Sequence, residues 1–219
     1  MPIKADAKSK VPAVPPGTHT AVCYGVVAVG TQVNPNSNFK PAKKVVLLWE
    51  LPDERAEFDG KDKPRGVSKK YTLSLGDRAT LRKDLESWRG RAFTEQELAG
   101  FDIDKLIGAN CLLNIVHGEK NGRTFANIAG VVPLPKGMTK RALENHPLYF
   151  NLEESLEAAQ KGDGVVEFPA NMPEWLVEVS KASVEYQDHL QAKNHEAAPD
   201  EEAGGEPVSM ADALKEVPF

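Results

Sequence analysis

Cations and aromatic rings interleave between positions 39 and 125, and these are the side chains of this sequence best suited to chemistry with a partner. The candidates are Phe39, Lys40, Lys43, Lys44, Trp49, Arg65, Lys69, Lys70, Tyr71, Thr72, Arg82, Trp88, Arg89, Arg91, Arg123 and Phe125. Cations attract phosphate groups and flat rings stack on unpaired bases, so together they form a binding surface for a single nucleic acid strand. This combination predicts binding rather than catalysis.

Four of the rings are candidates for stacking, and they differ in how free they are to do so. Phe39 lies in a polar loop, and Phe125 shares its side of a strand with Asn127 rather than with apolar neighbours. Trp49 and Tyr71 share strand faces with apolar residues, which is also the pattern of core side chains. Both interpretations stay open for Trp49 and Tyr71.

The polar side of segment 67–75 is the predicted path of the phosphates. Ser68, Lys70 and Thr72 alternate there with mostly apolar positions, as on a half-buried strand. Each neutralised phosphate releases counterions, so affinity for a single strand should fall by about 0.7 log units per log unit of salt for each contact. Salt dependence is therefore the expected signature.

Catalytic and metal-binding motifs are not visible in the sequence. The five histidines are scattered, and there is no P-loop, no GxSxG turn and no glycine-rich dinucleotide turn. Asp102 and Asp104 would be the metal ligands if the protein were a nuclease, but the pair also suits a solvated turn. Cys23 and Cys111 lie in apolar runs and are expected to be reduced core residues. We predict no enzyme activity, no metal and no cofactor.

Charge is distributed unevenly along the chain. The net charge is −5, but residues 1–137 carry +6 and residues 138–219 carry −11. A basic body joined to an acidic tail is typical of nucleic-acid-binding proteins, because the tail can cover the basic surface or recruit a partner. No apolar run approaches the roughly 20 residues that cross a bilayer, so we expect a soluble intracellular protein without membrane contact.

The candidate residues must be positioned by a small β-rich body. Period-two patterns and turn residues predict strands at 18–29, 43–51, 67–75, 110–117 and 123–134. Asp77 caps a predicted helix that carries Leu81, Leu85 and Trp88 and ends at Gly90, and a capping box at Thr94 begins a second helical segment. Segments 30–42 and 52–66 are predicted loops, the second one long and mobile.

The order strand, strand, strand, helix, strand, strand is that of an OB-type barrel, which commonly binds oligonucleotides on its second and third strands. We therefore predict a mainly β protein with helical additions. Residues 1–16 form a flexible leader, 17–137 the five-stranded OB domain, 138–191 a helical extension and 192–219 a disordered acidic tail. The extension is expected to hold one amphipathic helix from Trp175 to Leu190, packed on the barrel or at the interface of a homo-oligomer.

The last four residues, Glu216, Val217, Pro218 and Phe219, close the acidic tail. This tip resembles that of bacterial single-stranded DNA-binding proteins, in which acidic residues precede a terminal Pro-Phe, although Lys215 interrupts the acidic run here. The resemblance implies that the tip recruits replication or recombination proteins, with the ring filling an apolar pocket and the carboxylates meeting basic residues.

The segments KKVVLLWELP, DLESWRGRAFTEQELAGFD and GRTFANIAGVVPLPKG resemble a family of phage-encoded single-stranded DNA-binding proteins with an OB fold. The resemblance covers about residues 17–190. It implies protection of single-stranded DNA during phage replication, recombination or repair in the cytoplasm of a bacterial host. Two alternatives remain: a protein–protein interaction module of a phage machine that does not bind DNA, and the nuclease described above.

Overall fold

The computed structural model describes residues 12–34, 40–58, 60–120 and 122–196. Its strands are β1 (Gly17–Gln32), β2 (Ala42–Phe58), β3 (Lys61–Thr72), β4 (Asn110–Lys120), β5 (Arg123–Pro133) and β6 (Leu148–Asn151). Its helices are α1 (Thr80–Arg89), α2 (Glu95–Ala99), α3 (Leu152–Lys161), α4 (Glu174–Lys181) and α5 (Val184–Glu196), with a 3-10 turn at Ile103–Leu106. In this part of the chain, each helix is too short or too polar to span a bilayer.

The strands form one sheet in the order β3-β2-β1-β4-β5, with antiparallel neighbours, and β6 pairs in parallel with β1. The long strand β1 joins the two halves, because residues 17–22 pair with β4 and residues 22–32 pair with β2. Helix α1 contacts both outer strands, β3 and β5. The mainly β class and the element order agree with the prediction. Among the described residues no strand pairing joins β3 to β5, so the sheet is open rather than a hydrogen-bonded barrel.

Two hydrophobic cores lie on opposite faces of the sheet, and β2 contributes to both. Its residues Val45, Leu47 and Trp49 pack inward with α1 and β4, whereas Val46 and Leu48 pack outward against the chain after β5. Because successive side chains of a strand point to opposite faces, a strand covered on both sides is apolar throughout. This explains the continuous apolar run that the sequence shows at 45–49.

The outward core is built by the helical extension. Leu148, Phe150, Leu152 and Leu176 are buried there against the outer faces of β1 and β2. Residues 134–147, which lead from β5 to β6, are held by Glu50: its carboxylate accepts hydrogen bonds of 2.8 Å each from three N–H groups of residues 144 and 145. A buried carboxylate is tolerated because its oxygens are hydrogen-bonded. The extension therefore packs on the sheet, as the first of the two predicted arrangements requires.

Several predicted elements are wrong in detail. Helix α1 begins after Ala79, and no side chain caps it, so Asp77 is not its cap. Segment 52–66 is not a loop, because β2 and β3 continue as a hairpin as far as Phe58 and Lys61, with one irregularity between Leu51 and Arg55. The single helix expected from Trp175 to Leu190 is two helices, interrupted at residues 182–183. The buried side of these helices is formed by Leu176, Ser180 and Ser183. Of the predicted apolar side, Val179 and Tyr186 pack partly buried against the same core, whereas Trp175 is exposed.

Candidate nucleic-acid interface

The extension covers the outer faces of β1 and β2 but leaves the outer face of β3 open. Ser68, Lys70 and Thr72 are exposed there, while Tyr71, between them, is buried on the inner face. We call the cationic and hydroxyl side chains on and beside this face the β3 strip. Its members are Lys44, Arg65, Ser68, Lys70, Thr72 and Arg78.

A cavity of about 730 Å³ lies at the α1 end of the β3 strip, lined among others by Lys44, Lys70, Thr72 and Arg78. Lys44 Nζ donates to Thr72 Oγ1 at 2.7 Å, which joins β2 to β3 across their register pair. Within the described chain, the side chains of Lys70 and Arg78 have no hydrogen-bond or ion-pair partner. Their charges therefore remain available to an anion.

A second cavity, of about 430 Å³, lies at the opposite end of the β3 strip. Phe125 of β5 and Trp175 of α4 line it with 38% and 43% of their surfaces exposed. Tyr24, Leu48 and Arg65 also line this cavity, and the Arg65 guanidinium donates to the carbonyl of Pro12. Exposed rings and a cation thus occur together at this end.

The electrostatic balance of these two cavities is opposite to that of the whole chain. Their linings contain four cations, Lys44, Arg65, Lys70 and Arg78, and one carboxylate, Asp77. Asp77 is itself paired with Arg82 Nη1 at 2.6 Å. A net positive strip on a protein of net charge −5 concentrates a local field that attracts polyanions.

Several predicted cations form ion pairs within the described chain, which makes them less available to a phosphate. Arg89 and Arg91 both bind the carboxylate of Glu97, and the Arg91 hydrogen bond contributes most to lowering the pKa of Glu97 to about 2. Arg82 pairs with Glu86 at 3.0 Å as well as with Asp77. These residues cross-link α1 with the neighbouring segments 77–79 and 94–97.

Lys43 and Lys69 are also held by carboxylates. Lys43 Nζ lies 2.5 Å from Glu153 Oε1 of α3, and this hydrogen bond raises the pKa of Lys43. Lys69 Nζ lies 2.7 Å from Asp84 Oδ2 of α1. The exposed Lys43–Glu153 pair is stabilising by only about 0–1 kcal/mol, and the Lys69–Asp84 pair is partly buried. In both pairs the carboxylate neutralises the charge that a phosphate would require. Lys43 and Lys69 therefore fit the β3 strip less well than the sequence indicates.

Three predicted rings are core residues in this structure. Trp49 is 0% exposed and Trp88 is 6% exposed, with ring centroids 5.9 Å apart. Tyr71 is buried, and its hydroxyl donates to Asp84 Oδ2 at 2.8 Å; burial raises the pKa of Tyr71, and the charge of Asp84 raises it further. Because none of the three offers a free face, the structure favours the core interpretation for Trp49 and Tyr71, and Trp88 does not fit its prediction as a DNA-binding residue.

Some predicted residues lie outside the described structure. They are Phe39, the side chain of Arg123, and the tail tip Glu216, Val217, Pro218 and Phe219. Lys40 is described and exposed, beside the segment that contains Phe39. These positions remain predictions.

The residues considered for catalysis are placed as follows. Asp102 Oδ2 lies 2.6 Å from Lys105 Nζ, and Asp104 accepts a hydrogen bond from the Lys105 backbone. Over the described ranges, no three His, Cys, Asp or Glu side chains come together as metal ligands would. Burial raises the pKa of Cys23 to about 12, so this thiol stays protonated and is a poor nucleophile.

Arg78 and Trp175 are the members of this surface that sequence analysis missed. Arg78 lies in the turn before α1, where only the fold brings it next to β3. Trp175 was assigned to the buried side of a helix. Comparison of the chain with models of known protein families gives no match, and comparison with curated protein sequences gives none either. Function must therefore be argued from the site itself.

Proposed function

We propose that the protein binds single-stranded DNA without sequence preference, with the β3 strip as the path of the strand. The observation that carries the proposal is the group of four cations on and beside the exposed face of β3, with exposed rings at one end. Charges bind the phosphates that every nucleotide carries, and rings stack on any base, so such a surface holds a strand without reading its sequence.

The order of the elements supports the same function, because it is the order of an OB-type fold. The strand order β3-β2-β1-β4-β5, the bent β1 that pairs with both β2 and β4, and α1 between the two outer strands are features that this fold would have. OB folds bind oligonucleotides on strands 2 and 3, flanked by the loops between strands 1 and 2 and between strands 4 and 5. The β3 strip lies on that face, and Phe125 lies near the β4–β5 turn.

The length of the β3 strip sets the size of the site. From Arg65 to Thr72 the strand extends about 23 Å at the usual rise of about 3.3 Å per residue. A stacked strand rises about 3.4 Å per nucleotide, so about seven nucleotides would cover it, and an unstacked strand would need fewer. This is within the roughly 4–16 nucleotides that one OB fold occupies.

The biological role that we propose is protection of single-stranded DNA in phage replication, recombination or repair. Recruitment of partner proteins would fall to the acidic tail and its tip, Glu216–Phe219. The sequence resemblances support these points. The second candidate is a protein–protein interaction module, which is favoured by one observation: the exposed rings of Phe125 and Trp175 would also accept an apolar segment of a protein.

Fluorescence anisotropy with labelled oligo-dT separates the two functions. We expect the full-length protein to bind an oligomer of about 20 nucleotides, more tightly than the matching duplex, with affinity that falls steeply as salt rises. Oligo-dC and mixed sequences should bind comparably. Absence of binding at low salt would contradict the proposed function and favour the interaction module.

A further inference from the structure

We propose that the groove between β3, β5 and α4 is a stacking clamp for unpaired bases, in which the helical extension supplies one of the two rings. The clamp is formed by Trp175 and Phe125, with Arg65 beside them. This inference rests on the proposed function and deepens it, because it places part of the segment after residue 137 in direct contact with DNA.

Trp175 is exposed because its neighbour anchors the helix. Leu176, the next residue of α4, is completely buried in the outward core, and Ser180, one turn further on, is buried on the same side. Adjacent residues of a helix are about 100° apart, so an anchored Leu176 directs Trp175 away from the core. The largest apolar side chain of this helix is thus held in solvent at the edge of the groove.

Phe125 is held in place from the other side of the groove. It pairs across the β4–β5 hairpin with Gly118. A Cβ built on Gly118 would lie 3.0 Å from the Phe125 ring and 2.5 Å from Asn127 Nδ2. The glycine therefore leaves the space into which the ring settles.

The rest of the lining of the groove suits a base that is attached to a phosphate chain. Tyr24, Leu48 and Gly66 contribute apolar and small surfaces. Burial raises the pKa of Tyr24 to about 12, so its hydroxyl stays neutral and does not repel a polyanion. Arg65 is the single charged residue among those described in this lining, and its charge is positive.

Continuity with the β3 strip selects the occupant. Ser68 lines this groove, and Lys70, two residues along the same outer face, lines the cationic cavity. A strand that places a base in the groove can therefore lay its following phosphates along Lys70 and Thr72. An apolar peptide would use the rings but would have no use for this row of cations, so we commit to single-stranded DNA.

The decisive experiment compares two probes of equal charge: oligo-dT and an abasic deoxyribose-phosphate oligomer of the same length. The wild type should prefer oligo-dT, and Trp175→Ala should reduce that preference about 5- to 150-fold, the usual range for loss of one base–ring stack. Trp175→Phe keeps a ring and should lose less. Tyr149→Ala, which removes an exposed ring that lines neither cavity, is the matched control and should change nothing.

Intrinsic fluorescence gives a second readout that does not depend on affinity. The chain has three tryptophans, and Trp49 and Trp88 are buried while Trp175 is exposed. Iodide should quench the emission of the exposed Trp175, and oligo-dT should quench the same emission. Trp175→Phe should abolish the quenching by oligo-dT. Retention of the wild-type melting temperature by Trp175→Ala would show that the fold is intact.

The outcomes separate the clamp from the proposed function. If the wild type binds oligo-dT but Trp175→Ala keeps the full preference over the abasic probe, the clamp is wrong and DNA binding stands. The same conclusion follows if oligo-dT leaves the iodide-accessible emission unchanged. If the wild type binds neither probe, both proposals are wrong.

Discussion

Replacement of Lys70 tests the phosphate path most directly. Its side chain is exposed on the β3 strip and, among the described residues, makes no ion pair, so Lys70→Ala removes a charge without leaving a carboxylate unpaired. The strand beneath is held by the backbone ladder with β2, where Lys70 is opposite Val46. We therefore expect the fold to be unaffected and DNA binding to weaken.

The magnitude follows from the number of available cations. If each of the four cations in the two cavities neutralises one phosphate, at about 0.7 per contact, the wild-type slope of log affinity against log salt is about −2.8. Between 50 and 200 mM salt, the wild-type affinity would then fall about 50-fold. With one contact removed, the slope is about −2.1 and the fall about 18-fold.

Anisotropy titrations with oligo-dT at four or five salt concentrations measure this slope. Lys161→Ala is the control, because Lys161 is an exposed lysine of α3 that lines neither cavity. Its slope should equal that of the wild type. An unchanged slope in Lys70→Ala, or an equal change in Lys161→Ala, would refute the assignment of the phosphates to the β3 strip.

Three further substitutions test the scaffold. Glu50→Ala leaves three N–H donors without their acceptor and should lower the free energy of unfolding by about 3 kcal/mol. Urea titrations measure this change. The control is Glu57→Ala, at an exposed position, which should leave the free energy of unfolding nearly unchanged. Gly30→Ala should lower the free energy of unfolding more than Gly60→Ala does. Both glycines have φ near +70°, but an added Cβ at Gly30 would lie 2.8 Å from side chains of the extension, while the space at Gly60 is open. The pKa of Glu97 is lowered from 4.5 to about 2 in the folded protein, so its stabilisation is present above pH 4.5 and is lost as pH falls towards 2; Glu97→Gln should flatten the decline of the melting temperature in that window.

The element order could be predicted because local patterns specify it. Period-two runs define the strands, and the end of α1 at Gly90, with φ +67°, matches the glycine signal at a helix C-terminus. The capping box of Thr94 and Glu97 is also confirmed. The second core was not predicted, although a strand that is apolar on both sides needs cover on both sides.

Other features depend on partners that are distant in the sequence. The hairpin at 52–66 forms because the ladder between β2 and β3 continues into solvent, although its Pro, Gly and charged residues indicate a loop. The register of the last helices was obscured because polar Ser180 and Ser183 are buried, with Ser183 Oγ donating to the Ser180 carbonyl at 2.7 Å. A period of apolar residues cannot reveal a buried face that includes serines.

The site could be predicted only in part, for the same reason. The sequence shows which residues are cationic, but not which of them a carboxylate neutralises. Lys43 is paired with Glu153, which reaches it only because α3 packs against β1, whereas Lys70 has no ion-pair partner among the residues that the structure describes. The polar side of β3 was correctly placed outward, because strand alternation is local.

The second core has a consequence for any attempt to divide this protein. A fragment that ended at residue 137 would place the outer side chains of Val27, Val46 and Leu48 in water and would strip Glu50 of its hydrogen-bond donors. Such a fragment would be prone to self-association, because exposed apolar strand surface promotes aggregation. The strands and the chain that follows them should therefore melt in a single cooperative transition and be exchanged between relatives only as one unit.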